Sequence, residues 1–307
     1  MKAVFFGTSE VSKEILEALI EADIEVPAVV TTPDRVSSRR GKSSPNAVSV
    51  FAESKGISLL KGEKPGEFAS KLAELETDFI VVADYGKLIP KEVLEIPGKG
   101  PVNVHYSLLP KYRGASPVKF AILNGEDETG VTIMLMDEKL DEGPILAQEE
   151  VTIAPDDDHS SLLRKLNVVG KKLLITTLAD YYEGKIRPVP QDESFATYAK
   201  KLRREDGRID WNSDADKVER MVRAFRNWPS AWTTMDTKSV KIIEAKSVNN
   251  NIVQSAPGRV CNVDGKLYVE CGDSTSLLIE RLQIEGKREI SGSDFLNMLQ
   301  DKEARFI

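Results

Sequence analysis

Along the first half of the chain, apolar runs of strand length alternate with helix-length stretches whose apolar positions recur at helical spacing. Lys2 to Phe6 is a short apolar run closed by Gly7-Thr8-Ser9, and Thr8 or Ser9 can cap a helix with Val11, Ile15, Leu19 and Ala22 on its apolar face. Glu25 to Thr31 reads as a second buried strand, Pro45 to Lys55 as a helix with Val48 and Phe51 inward, and Gly56 to Leu60 as a third strand. Pro65 to Leu75 reads as a further helix and Phe79 to Ala83 as a strand. Strands separated by helices of this length predict βαβ units and a parallel sheet. The opening turn, Gly7-Thr8-Ser9-Glu10, lacks the G-x-G-x-x-G pattern, so the pattern gives no support to a dinucleotide site.

The centre of the chain continues with a brief strand, Val102 to Val104, a loop from Ser107 to Gly114, a helix from Ser116 to Leu123 and a strand from Thr129 to Met136. An acidic loop, Asp137 to Gly143, leads to a strand from Pro144 to Val151 and a long amphipathic helix from Asp156 to Tyr182. Arg187-Pro188-Val189-Pro190 reads as a linker. Beyond residue 230 the turn signals Asp236-Thr237-Lys238, Pro257-Gly258, Asp264-Gly265 and Gly272-Asp273 punctuate short strands, which predicts a small β-barrel. The expected organisation is a first domain over 1–185, a linker over 186–208 and a second domain over 209–307.

Composition narrows the classes. The 307 residues hold 42 Lys+Arg against 49 Asp+Glu, a net charge of −7, with 41% hydrophobic residues. That is enough apolar material for real cores and argues against disorder. No apolar run is long enough to span a bilayer, and Gly7 interrupts the first run before a signal-peptide core can form, so a soluble cytoplasmic protein is expected. A generic nucleic-acid binder is usually basic, so such a partner would have to be met by local patches. Residues 35–42, Arg-Val-Ser-Ser-Arg-Arg-Gly-Lys, hold four cations and no acid, while 185–226 hold eleven Lys+Arg against eight acids. Two cysteines make neither a disulfide framework nor a zinc site. Cys261 is expected opposite Tyr268 across the Asp264-Gly265 hairpin and Cys271 opposite residue 258, so both read as packing residues.

Candidate chemistry centres on one of the two histidines. His159 opens the long helix beside Asp156, Asp157 and Asp158, where a solvated or capping role is expected. His105 stands where an apolar strand runs out into a loop, and ligands of open α/β sheets bind beyond the carboxyl ends of strands. Asn103, two residues earlier, leaves the same strand face. An amide beside an imidazole can stabilise a developing oxyanion. Asp141 can orient that imidazole and raise its pKa.

The run NVHYSLLPKYRGASP, residues 103–117, followed by ETGVTIMLMDEKLDEGPIL, residues 128–146, resembles the folate-dependent formyltransferases, with the Asn-x-His, Ser-Leu-Leu-Pro and Leu-Asp-x-Gly elements in order. VFFGTSEVSKEILEALI at the start, TTPDRVSSRRGKSSPNAV over 31–48, YAKKLRREDGRIDW over 198–211 and VRAFRNWPSAWT over 222–233 are similar to the methionyl-tRNA formyltransferases within that group. The resemblance covers almost the whole chain. It implies an α/β fold: a Rossmann-like formyltransferase domain with a mostly parallel sheet, then an OB-like barrel. By the same resemblance Asn103, His105 and Asp141 fall on the catalytic trio, Ser107, Leu108, Leu109 and Pro110 on the tetrahydrofolate-binding element, and Asp137 and Gly143 on the loop that reads the pterin. Arg35, Arg39, Arg40 and Lys42 fall on a tRNA-contacting loop, and basic residues between 200 and 226 are placed to hold phosphates.

The implied reaction moves the formyl group of 10-formyltetrahydrofolate to the α-amine of initiator methionyl-tRNA. The formyl group is already activated on N10, so no metal is expected, and a monomer is expected. Lys139 stands where a Gly is often seen, and Asp84 and Tyr106 replace smaller residues, which puts the shape of the folate pocket in question. The trio alone would equally serve a sugar-nucleotide N-formyltransferase or a folate hydrolase, and a non-catalytic folate- or tRNA-binding protein is the reading from another class.

Overall fold

The computed structural model describes residues 1–36, 43–248, 256–300 and 303–307. The chain forms two compact units. The first comprises Met1–Pro117, Glu128–Thr152 and Leu163–Lys200, and the second Val118–Asp127, Ile153–Leu162 and Lys201–Ile307. The second unit is therefore not contiguous in sequence: two central segments fold with the C-terminal part of the chain, where a reading by composition draws one boundary.

In the first unit β1 (Ala3–Gly7) leads to α1 (Glu10–Glu21), β2 (Ala28–Thr31), the short strands β3 (Arg35–Val36) and β4 (Ser43–Ser44), α2 (Ala47–Ser54), β5 (Ser58–Lys61), α3 (Ala69–Ala73), β6 (Phe79–Ala83), α4 (Lys91–Leu94) and β7 (Gly100–His105). After α5 (Pro117–Asn124), β8 (Glu128–Leu135) and β9 (Ile145–Thr152) complete the sheet, and α6 (His159–Tyr182) follows. The seven strands order as β5-β2-β1-β6-β7-β8-β9. The first five are parallel, β8 runs antiparallel to β7 and β9 antiparallel to β8, so the sheet is mostly parallel as expected. β1 and β6 are buried along their whole length, which is the pattern of central parallel strands covered on both faces. Val4, Phe6, Val30, Ile80 and Val82 pack one face against Leu72, Val93 and Leu94. Phe79 meets Tyr181 and Tyr182 of α6 at centroid distances of 6.3 and 6.5 Å. Ser9 caps α1 through a reciprocal bond pair with Ser12.

In the second unit, α7 (Ala215–Ala224) precedes β10 (Ala231–Met235), β11 (Lys238–Val248), β12 (Val260–Val263), β13 (Lys266–Glu270), β14 (Ser276–Ile284), β15 (Glu289–Ser291) and α8 (Gly292–Leu299). The strands are antiparallel in the order β10-β11-β14-β13-β12, with β15 also on β14. The chain end joins the two edges. Val260 N–H donates to Ala304 O at 3.0 Å and Phe306 N–H to Gly258 O at 2.8 Å, while Thr234 and Ile307 exchange backbone bonds of 3.1 and 2.9 Å. The expected barrel therefore closes through residues 304–307. Cys261 lies opposite Tyr268 as the hairpin spacing predicts, and both cysteines are free thiols. Burial pushes the Cys271 thiol up to about 12, so it stays a neutral packing group.

His159 departs from the sequence expectation. Its ring is largely covered, and Nδ1 finds no hydrogen-bond partner among the described residues. Burial first, and Lys119 second, lower its pKa to about 4, while Asp158 opposes them. The cap of α6 falls instead to Asp158, which accepts from Ser160 and Ser161 N–H. Several cations expected to face phosphate are also committed within this unit. Arg220 donates to Leu123 O, Arg223 bonds Glu219 and Asp157 O, and Arg226 pairs with Asp158.

Candidate active site

The site is built at the end of β7, where strand alternation sorts the side chains. Val104 and Tyr106 turn toward α6: both lie against Gly170, and the Tyr106 hydroxyl donates to Asn167 Oδ1 at 2.7 Å. Tyr106 is thus a core residue on the helix side of the sheet. Asn103 and His105 leave the other face. Asn103 is half-buried, and its amide makes no hydrogen bond among the described residues, so a donor is held uncommitted. His105 is 5% exposed.

The imidazole is bracketed by two loops. Nε2 lies 3.1 Å from Tyr112 O, and Nδ1 lies 3.8 Å from Asp141 Oδ2. A carbonyl oxygen only accepts, so Nε2 carries the proton of that contact. Nδ1, facing Asp141, is then the nitrogen at which a second proton can arrive or leave. Asp141 is fixed from its other side, since the same Oδ2 accepts Gly114 N–H at 2.8 Å. Tyr112 and Asp141 both adopt left-handed backbone, with φ of 61° and 56°. Strain of this kind persists only where surrounding contacts hold it.

The turn Ser107–Pro110 is held internally. Ser107 donates to Lys111 O at 2.6 Å, Leu109 N–H donates to Thr132 Oγ1 at 3.1 Å, and Gln148 donates to Leu109 O at 2.8 Å. Leu108 lies over Gly130, and Pro110 O accepts Thr197 N–H. Asp137 is exposed and accepts Lys139 N–H, and Lys139 pairs with Glu142 at 3.1 Å. Gly143 is buried where any Cβ would stand 1.9 Å from Leu135 O. Asp84, after β6, is exposed with a φ of 42°. Arg35 opens β3, while Arg39, Arg40 and Lys42 lie outside the described residues.

Sequence reasoning missed two residues around the loop of Asp141. Arg113 has a wholly buried side chain. Its guanidinium bonds both carboxylate oxygens of Glu193 at 2.8 and 2.9 Å and the Gln191 side-chain oxygen at 2.9 and 3.0 Å. The Glu193 bond keeps Arg113 charged, and the Arg113 bond in turn lowers the Glu193 carboxyl below its usual range. The Gln191 amide then donates to Asp141 O at 2.8 Å and Gly143 O at 2.7 Å. Arg113 is visible inside the Pro-Lys-Tyr-Arg-Gly run, but no local signal marks Gln191.

The Formyl transferase family matches residues 1–178, and the Formyl transferase, C-terminal domain family matches residues 201–300. A methionyl-tRNA formyltransferase of Enterococcus faecalis is 42% identical over 299 residues, covering 96% of this chain and 95% of that protein. Among solved structures, HypX from Aquifex aeolicus with tetrahydrofolic acid superposes with a TM-score of 0.67 at 20% identity. It covers 98% of this chain, which spans 48% of that longer protein. An N-formyltransferase from Helicobacter canadensis, with folinic acid and dTDP-3-aminofucose, has a TM-score of 0.68 at 18% identity and covers 91% of this chain and 98% of its own. The structural likenesses show the fold, and the identity over nearly full length decides the branch: the chain belongs to the methionyl-tRNA formyltransferase family.

Proposed function

We propose that the protein transfers the formyl group of 10-formyltetrahydrofolate to the α-amine of initiator methionyl-tRNA, with Asn103, His105 and Asp141 as the reacting constellation. The observation that carries this is the arrangement at the end of β7: an uncommitted amide, Asn103, on the same strand face as an imidazole whose Nδ1 faces Asp141 at 3.8 Å. Attack of the neutral amine on the formyl carbon makes a tetrahedral oxyanion, and a donor already in place is most effective against charge that only then develops. The Asn103 amide is that donor, and the His105 imidazolium, with its N–H groups toward Tyr112 O and Asp141, contributes positive charge beside the oxyanion. As the intermediate collapses, the attacking nitrogen loses a proton and the departing folate nitrogen gains one. His105 and Asp141 are the groups through which that proton passes.

The folate co-substrate is assigned to the loop 137–143, which carries Asp141 to His105, and to the turn 107–110, which follows His105 in sequence. With their polar groups held internally, Ser107 to Pro110 contribute shape. The proposal includes a monomer, and no helix among the described residues is long and apolar enough to cross a membrane. We place it in the cytoplasm with its tRNA substrate. The basic run Arg35, Arg39, Arg40 and Lys42 is assigned to the acceptor stem on sequence alone. Arg204 and Arg208 add exposed charge, with guanidinium carbons 5.9 and 5.8 Å from the Trp232 ring centroid.

The test is formyl transfer from 10-formyltetrahydrofolate to initiator methionyl-tRNA, with elongator methionyl-tRNA and an amino-sugar nucleotide as parallel acceptors. Transfer to the initiator supports the reading. Transfer to the sugar alone would turn it toward the sugar-nucleotide alternative, and transfer to none toward a hydrolase or a binder.

A further inference from the structure

The loop carrying Asp141 is short of intrinsic support. Asp137, Glu138, Lys139 and Leu140 are all exposed, and Leu140 is 56% exposed. Asp141 itself holds a left-handed backbone, a conformation that costs free energy unless neighbours over-determine it. Two kinds of contact do so. The side chain accepts Gly114 N–H, and the carbonyls of Asp141 and Gly143 both receive the Gln191 amide.

Gln191 can donate to both carbonyls because its other end is fixed. Its side-chain oxygen accepts from Nε and Nη2 of Arg113, which fixes which end of the amide is oxygen and turns the NH2 toward the loop. Arg113 is anchored in turn by the paired bonds to Glu193, two residues beyond Gln191. The segment carrying both runs beside the loop after His105. Arg113 N–H donates to Thr197 O, Ala199 N–H to Arg113 O, and Tyr112 N–H to Thr197 Oγ1. Gly114 allows this approach, since a Cβ there would stand 2.6 Å from Ala199 O.

We propose that Gln191 is a positioning residue for the reaction, a clamp that sets Asp141 against Nδ1 of His105, with Arg113 and Glu193 as its anchor. Gln191 and Glu193 lie between the two family matches, in a stretch that reads as a connector by composition. It is part of the catalytic scaffold. The proposal rests on the reading of Asp141 as a reacting residue, and it adds a residue that touches no substrate.

Gln191→Glu separates the two ends of the clamp in the full-length protein. Glutamate keeps an acceptor for Arg113 but has no N–H for the carbonyls of Asp141 and Gly143. Gln191→Ala removes both ends. Two readouts are taken: kcat and KM for formyl transfer, and amide hydrogen exchange of the peptide containing Gly114. The clamp predicts a fall in kcat of about 10- to 100-fold, the scale of a small misplacement of a reacting group. KM for either substrate should stay within about twofold, and exchange at Gly114 should speed up as Asp141 lets go of its N–H. Should Gln191→Ala melt below the assay temperature, Gln191→Glu carries the measurement. An unchanged kcat, a change confined to KM, or a lost kcat with Gly114 exchanging as in the parent would each overturn the proposal. Exchange is measured without turnover, so if the parent transferred no formyl group, the function reading would fail while the clamp was still tested.

Discussion

One oxygen of Asp141 stands 3.8 Å from Nδ1 of His105 while it accepts the Gly114 N–H at 2.8 Å. The carboxylate is fixed by the backbone bond, and the imidazole by its Nε2 contact with Tyr112 O. Neither group has to reorganise when a proton appears on Nδ1, which is what makes preorganised charge effective in catalysis.

Replacing His105 by Ala should lower kcat by a hundredfold or more, on the order of 3 kcal/mol for lost stabilisation of the oxyanion, with little change in KM for folate. Asp141→Asn keeps the size of the side chain and an oxygen for Gly114 N–H but removes the charge facing Nδ1. It should lower kcat with Gly114 exchange near normal. Steady-state rates beside hydrogen exchange check both, and a near-normal rate for either variant would remove that residue from the trio.

Gly143→Ala tests the loop by overpacking. The added methyl would stand 1.9 Å from Leu135 O, a backbone atom of β8 that cannot step aside. The loop must move and carry Asp141 with it. We expect kcat to drop by about tenfold or more, since displacements near 1 Å cost on the order of a hundredfold. Thermal unfolding should also move downward. Unimpaired turnover would mean that the loop position is not rate-determining.

The residues proposed to react were legible in the sequence and their supports were not. Asn103 and His105 announce themselves because a strand period of two puts them on one face at a strand end. Asp141 stands out because it is tied to a recognisable run. Gln191 stands 50 residues from Asp141, and only the folded path of 191–199 beside 110–116 gives it a role. Tyr106 looked like an intrusion into the folate pocket, yet alternation along β7 sends it to Asn167. The parallel sheet was readable from its buried runs. The return of 118–127 and 153–162 to the second unit was not, because no change in composition marks it.

His159 gives a pH prediction with a definite sign. Burial lowers its pKa to about 4, against an ordinary value of 6.5. Between those values the unfolded chain binds a proton that the folded chain does not, so stability falls as pH drops through this window and is full above 6.5. The slope from one such group reaches about 1.4 kcal/mol per pH unit. His159→Gln should flatten that part of the urea-denaturation profile. Because the chain has two histidines, the substitution also assigns the remaining NMR signal to His105. A His159 resonance that titrates near pH 6.5 in the folded protein would refute the buried assignment.

Phe306 is the keystone of the barrel seam. Its side chain is 1% exposed, stacks on Trp211 at a centroid distance of 5.8 Å and meets Phe295 at 5.9 Å. Its own N–H, with the bonds of Ala304 and Ile307, joins β12 to β10. Phe306→Ala removes the ring and leaves a cavity between two aromatic neighbours, a change that typically costs about 3–5 kcal/mol. With two compact units, unfolding need not be two-state, so the loss should appear in a calorimetric transition of the C-terminal unit more than in that of the sheet. The edge strands β10 and β12 should lose amide-exchange protection together, because Ala304 and Phe306, which bond one edge, and Ile307, which bonds the other, belong to one short tail. Loss at one edge alone would mean that the tail decorates the barrel without closing it.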